Sequence, residues 1–177
     1  MASGPGYADA SPVGELIMTA LLWTEALALQ QPRMDTTHRE FVELLTGLEA
    51  ALPGPIEGVD DSLARLVEHT VEHFAQEERW MQKLGFSAQN CHAFQHSHVL
   101  QVLREVLRLQ REEGDLETVR QLVAELAKWF PTHAQTMDAG LALTMAEQGF
   151  DPETGQFARA PTAPAEPLTG CGSVGCS

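Results

Sequence analysis

The chain has 177 residues, with 11 Lys and Arg against 25 Asp and Glu, and its formal charge of −14 at pH 7 argues against nucleic acid or an anionic membrane as partner, because both reward a positive surface. Its 44% hydrophobic residues suffice for one core, yet no apolar run approaches the ~18–20 residues that span a bilayer, so no membrane insertion is expected. No Lys or Arg precedes Arg33, which removes the positive flank of a secretory signal, and three cysteines do not make a disulfide framework, so a cytoplasmic single-domain protein is expected.

Residues 1–14 are rich in Gly, Ala, Ser and Pro, lack apolar periodicity and read as a flexible N-terminus. From there the period is helical, and residues 15–150 read as one folded unit. A first helix follows Asp35 as N-cap and runs to about Leu52, where Pro53, Gly54 and Pro55 end it; Phe41, Leu45, Leu48 and Leu52 form its stripe. A second starts near Asp60, Asp61 or Ser62 and stops before Gly85, with Leu63, Leu66, Thr70, His73, Glu77, Trp80, Met81 and Leu84 on one side. A third opens after Ser87 and stops at Gly114, presenting His92, His96, Val99, Leu103, Val106 and Leu107. The last begins near Leu116 and reaches about Gln148, before Gly149, lined inside by Val119, Leu122, Leu126, Trp129, His133, Met137 and Leu141. Pro131 lies within it and is expected to bend or loosen it. Residues 151–177 carry Pro152, Pro161, Pro164 and Pro167 among small residues and read as a disordered tail with two cysteines. Short connections between long helices predict an all-α, antiparallel up-down-up-down four-helix bundle with an N-terminal arm.

Those inward stripes carry polar groups that a core rejects. His73 and Glu77 share one face of the second helix at i, i+4; His92 and His96 do so on the third. His38 precedes Phe41 on the first helix, and His133 sits on the stripe of the fourth with Asp138 five residues on. Burying such groups unpaired costs several kcal/mol each, of the order of a whole domain's stability, and a metal centre supplies partners for all of them. A lone histidine on an apolar face is usually a hydrogen-bonded core residue; HxxxE, HxxxH and two further histidines on four helices are not explained that way. Seven donors exceed a four-coordinate structural zinc site, and they are too nitrogen-rich for calcium or magnesium. Two ions sharing two carboxylates account for the number, and imidazole with carboxylate suits iron. Asp138 is the awkward member: five residues on a regular helix turn about 140°, so the helix must bend or the carboxylate reach sideways.

The segments WTEALALQQPRMDTTHREF (23–41), EHTVEHFAQEERWM (68–81), CHAFQHSH (91–98) and WFPTHAQTMD (129–138) resemble the hemerythrin family, specifically its bacterial members. The resemblance covers about Trp23 to Gln148, and the ordered set H…HxxxE…HxxxH…HxxxxD carries it. It implies a non-heme di-iron centre with an oxo or hydroxo bridge. His92, His96 and His133 would hold one iron and His38 and His73 the other, with Glu77 and Asp138 bridging. It further implies reversible O₂ binding at the open position of the two-His iron, for carriage, storage or delivery, without enzymatic turnover. Two other readings stay open: an O₂ or redox sensor acting on a protein partner, with the tail as its contact, and a di-iron enzyme handling peroxide or nitric oxide.

Some positions depart from the family pattern. His69 stands where an aromatic residue, typically Tyr, is common; it is either an edge histidine with a backbone partner or a donor placed behind the ligands near the open iron. Gln30 replaces a common Gly and is expected to be harmless, and Pro131 puts the geometry around His133 in question. His98 faces away from His96 and is expected to be exposed, while Cys91 is given no role. Cys171 and Cys176 are either reduced thiols or a redox-sensitive pair. The remaining Glu and Arg runs read as solvated helix faces.

Overall fold

The structure, a computed structural model, describes residues 21–159 and 168, so the expected flexible N-terminus and the pair Cys171 and Cys176 lie outside the described residues. A 3₁₀ turn, Glu25–Leu27, leads into α1, Pro32–Ala51. It is followed by α2, Ile56–Lys83, α3, Cys91–Glu113, and α4, Leu116–His133. α4 continues through a π-helical turn, Ala134–Asp138, into α5, Ala139–Gln148, so the last rod is helical from Leu116 to Gln148 as expected. α1 packs on α2 and α4, and α3 packs on α2 and α4, closing a four-helix bundle. No helix among the described residues is long and apolar enough to cross a membrane.

The helix stops fall at the glycines: Gly85, Gly114 and Gly149 all take the left-handed conformation (φ 87°, 69° and 63°) that side chains resist. Three starts differ from expectation. α1 begins three residues earlier than Asp35, because Pro32 presets the first turn and the Gln31 side chain accepts from the Met34 N–H at 2.9 Å. Asp35 instead reaches back to accept from the Leu29 N–H at 2.7 Å, tying the arm to the helix. α2 starts at Ile56 after an extended Pro55, ahead of the three candidate caps, since none of them interrupts the helix. α3 opens at Asn90, whose side chain accepts from the Ala93 N–H at 2.9 Å, rather than at Ser87.

The described part of the stretch expected to be loose from Asp151 onward begins with order. Phe150–Asp151 (β1) and Gln156–Phe157 (β2) pair antiparallel, Phe150 opposite Phe157. Asp151 closes the turn by accepting from the Glu153 N–H and the Thr154 hydroxyl at 2.9 and 2.7 Å. Further on, Leu168 bridges the α2–α3 loop: the Ser87 N–H donates to its carbonyl (2.8 Å) and its N–H donates to Gly85 (3.1 Å). Burial of Phe150 and Leu168 against the bundle end supplies what Pro-rich composition alone does not.

The core is in two parts. Phe41, Leu45, Leu66, Phe74, Leu103, Leu126 and Phe130 belong to the larger cluster; Met34, Trp80, Met81, Leu84, Leu141 and Met145 form a second at the bundle end that the hairpin and Leu168 cover. His38 follows Met34 and precedes Phe41, each by one turn, and Glu77 stands between Phe74 and Trp80. Polar side chains are therefore clamped between two apolar plugs.

Candidate metal centre

Each element delivers its donors by simple periodicity. α1 supplies His38, α2 supplies His73 and Glu77, α3 supplies His92 and His96, and α4 ends on His133. All six are buried, and so is Asp138. Asp138 arrives by a different route. The Ala139 N–H donates to Ala134, a bond five residues back, and this widened turn returns Asp138 to the side of the helix that His133 occupies. His133 Nε2 lies 3.3 Å from Asp138 Oδ1. The rod thus remains helical past Pro131, and the widening three residues after it resolves the five-residue step. The same widening displaces Met137, expected on the inner stripe, to a half-buried position, while Asp138 takes the inward one.

The two carboxylates sit at the middle of the histidines. Glu77 Oε1 lies 2.8 Å from His73 Nε2 and 3.8 Å from His38 Nε2; its Oε2 lies 3.3 Å from His92 Nε2 and 3.4 Å from His96 Nε2. Asp138 Oδ2 lies 3.2 Å from His38 Nε2, and Oδ1 lies 3.0 Å from His92 Nε2. The donor atoms of Glu77, His92, His96, His133 and Asp138 all lie within 4.8 Å of one another, as do those of His38, His73 and Glu77. Aromatic rings fix the imidazoles: Phe74 stacks on His96 (centroids 3.8 Å apart, 5° between planes), Trp129 on His133 (4.3 Å), and Phe130 meets His38 edge-on at 5.2 Å.

The charges of the cluster are strongly coupled. Burial pushes the Glu77 carboxyl up, but the His73 charge and the close approach of the His38, His73 and His92 imidazoles outweigh it and hold the group well below the usual range. Asp138 is also held well down: burial and the Glu77 charge oppose ionisation, and His133 and His38 overcome them. Burial pulls His38 and His92 down, yet Asp138 and Glu77 carry them to about 10 and about 9. His133 is lowered by burial, helped by the charges of His92 and His96. Two buried carboxylates that stay ionised hold positive charge in the cluster.

A cation fits the unmet donors. The Nε2 atoms of His38, His92, His96 and His133, Glu77 Oε2 and both Asp138 oxygens are buried without a hydrogen-bond partner. Each such atom costs about 1–3 kcal/mol, and all of them converge on one small volume. Imidazole nitrogens with carboxylate oxygens are the donor set of a transition metal.

The other singled-out residues fall elsewhere. His69 donates from Nε2 to the Thr37 carbonyl at 3.2 Å, with its ring 6.0 Å from that of His73, which matches the backbone-partner reading of this residue. Burial, then the His73 charge, lowers its pKa and keeps it neutral. His98 is exposed and Cys91 half-buried. Gln30 adopts φ 58°, the left-handed conformation that glycine takes without strain. One contact is not foreshadowed by periodicity: Gln95, between His92 and His96, accepts from His133 Nδ1–H at 3.0 Å.

The bundle and its convergent donors define a helical metal-binding protein. A family model described as the hemerythrin HHE cation binding domain matches residues 31–142, and the chain belongs to the hemerythrin family. A bacteriohemerythrin of Ralstonia nicotianae is 34% identical over 134 residues, covering 76% of this chain and 95% of the relative. Bacteriohemerythrins of Pseudomonas aeruginosa and Stenotrophomonas maltophilia are each 27% identical; they cover 70% and 71% of this chain and 80% and 81% of their own lengths. No solved structure matches at a significant level.

Proposed function

We propose that this chain is a cytoplasmic protein that binds O₂ reversibly at a non-heme di-iron centre. His92, His96 and His133 hold one ion, His38 and His73 hold the other, and Glu77 and Asp138 serve both. One observation carries the reading: each carboxylate turns one oxygen to each group. Glu77 Oε1 faces His73 and His38 while Oε2 faces His92 and His96; Asp138 Oδ2 faces His38 while Oδ1 faces His92 and His133. A single-ion site has no use for that division, and three nitrogens against two make the His38 and His73 side the one with room for a further ligand.

Bound iron supplies the redox chemistry by which O₂ is taken up and released. The chain's part is to hold the imidazoles in place and to keep water and stray protons out. Phe74, Phe130 and Trp129 lie against the imidazoles and wall the cluster with apolar ring atoms. The polar residues just behind His73 are committed elsewhere: Thr70 donates its hydroxyl to the Leu66 carbonyl at 2.7 Å, and His69 donates to Thr37. A wall whose proton donors are already occupied favours binding over turnover of peroxide.

The test is anaerobic purification, iron counting per chain, and visible spectra as air is admitted and withdrawn. Two irons per chain and a spectrum that appears and fades reversibly are expected. A fully folded chain that holds no metal, or one zinc ion, overturns the reading.

A further inference from the structure

We propose that Gln95 is a positioning residue for the metal centre, fixing His133 in the tautomer that presents Nε2 to the cluster. The inference rests on His133 being a ligand, as proposed above. His133 Nδ1 lies 3.0 Å from Gln95 Oε1, an oxygen that can only accept, so the ring proton resides on Nδ1 and the Nε2 lone pair points inward. On that inner side Nε2 has no hydrogen-bond partner and lies 3.3 Å from Asp138 Oδ1.

His133 is singled out by comparison with its neighbours. The Nδ1 atoms of His38, His73, His92 and His96 are buried without a hydrogen-bond partner, and the nearest carboxylate to His96 Nδ1, from the exposed Glu78, stands off at 3.6 Å. His133 therefore has an outer partner from a side chain where these four have none. It also sits at the place where the helix changes from α to π geometry, one residue before Ala134, so the backbone there is the least regular of the four helices. Trp129 stacks on the His133 ring and restrains its plane, but stacking leaves the choice of nitrogen open; the Gln95 acceptor makes that choice. Because Gln95 lies on α3 between His92 and His96, this one bond locks the α4 ligand to the helix that carries the other two ligands of the same ion. Partners behind a ligating histidine typically contribute about 10–100-fold in metal affinity.

The experiment compares the full-length chain with Gln95→Leu, which removes the acceptor, and Gln95→Glu, which restores it. Two readouts are taken: the slowly exchanging His133 Nδ1–H proton signal in the zinc-loaded protein, and the rate at which iron is lost to an excess of chelator. Gln95→Leu should lose the protected proton signal and release iron about 10–100-fold faster, while Gln95→Glu should keep the signal and release iron no faster than wild type. Unchanged signal and rate in Gln95→Leu overturn the proposal, as does faster release with the proton signal intact. Equally fast release from Gln95→Glu overturns it too, since a bond acceptor would then be irrelevant. A wild-type chain that takes up neither iron nor zinc sinks the proposed centre itself, a result distinct from an unaffected Gln95→Leu.

Discussion

His133 and Asp138 are five residues apart and yet face each other, with Nε2 and Oδ1 separated by 3.3 Å. On a regular α-helix that step turns about 140°, which points the carboxylate away from the imidazole. The Ala139 N–H bond to Ala134 adds one residue to the turn and brings Asp138 back, so the π turn is what completes the donor set. Such one-turn widenings are rare and concentrate at functional sites.

The extra residue is the cause, and removing it is a direct check. Gln135 is exposed, with its amide donating to the Ala26 carbonyl. Deleting Gln135 makes the His133 to Asp138 step four residues, about 40° on a regular helix, so both groups stay on one face and iron content should be retained. Inserting an alanine after Gln135 lengthens the step to six and should lower bound iron below two per chain. Iron counting decides, and full iron in the insertion variant would detach Asp138 from the centre.

Within the cluster, the variants that matter are those on α2. Glu77→Ala removes the carboxylate that faces both histidine groups, and His73→Ala removes half of the two-nitrogen side, so both should lose bound iron. His98→Ala, exposed on the outside of α3, should keep it. Metal analysis of the three purified proteins is sufficient; normal iron in Glu77→Ala would show that the carboxylate is not shared between ions.

Much of this arrangement was legible in the residues alone, and the limits have physical causes. HxxxE and HxxxH need only the 3.6-residue period to place His73 with Glu77 and His92 with His96, and left-handed glycines mark helix ends without ambiguity. Helix starts were less legible: several side chains can cap, and Pro32 with Gln31 outcompeted Asp35 through contacts that spacing does not encode. The π turn was hidden because a periodicity argument assumes one period throughout. The hairpin at Phe150 and Phe157 was masked by Pro152 and its small neighbours, since its stability comes from burial on the bundle end. Gln95 was invisible for a similar reason: whether an amide on a histidine-rich helix faces a neighbour depends on how two helices cross.

Gln30 carries a cost at its left-handed φ of 58°. A residue with a Cβ pays about 1 kcal/mol or more there, and glycine does not. Gln30 is exposed, so Gln30→Gly removes no packing. The variant should be up to about 1 kcal/mol more stable, partly offset by the freer unfolded chain, with Tm raised by roughly 2–4 °C at most. A thermal melt checks this, and a lowered Tm would mean that the Gln30 side chain contributes more than its backbone costs.

Metal-free and metal-loaded protein should respond to pH in opposite ways. In the metal-free chain His38 and His92 titrate near 10 and 9, above the ordinary 6.5, because Asp138 and Glu77 outweigh burial. Groups raised in this way contribute stability that is complete below pH ~6.5 and is lost as pH rises through 9 and 10. Glu77 and Asp138 are held below their ordinary values of 4.5 and 3.8, so their contribution is present above those values and is lost on acidification. His133, lowered by burial, has the reverse sign to its fellow histidines: its contribution is complete above 6.5 and falls away below. The metal-free protein should therefore lose resistance to urea between pH 6.5 and 10. Bound metal needs neutral imidazoles, so the loaded protein should instead hold its iron through that range and release it in acid. Urea midpoints of both forms at pH 6.5, 8 and 10 give the comparison. A metal-free midpoint that rises with pH would mean that His38 and His92 are not held charged by Glu77 and Asp138, and iron that survives strong acid would exclude imidazole as its ligand.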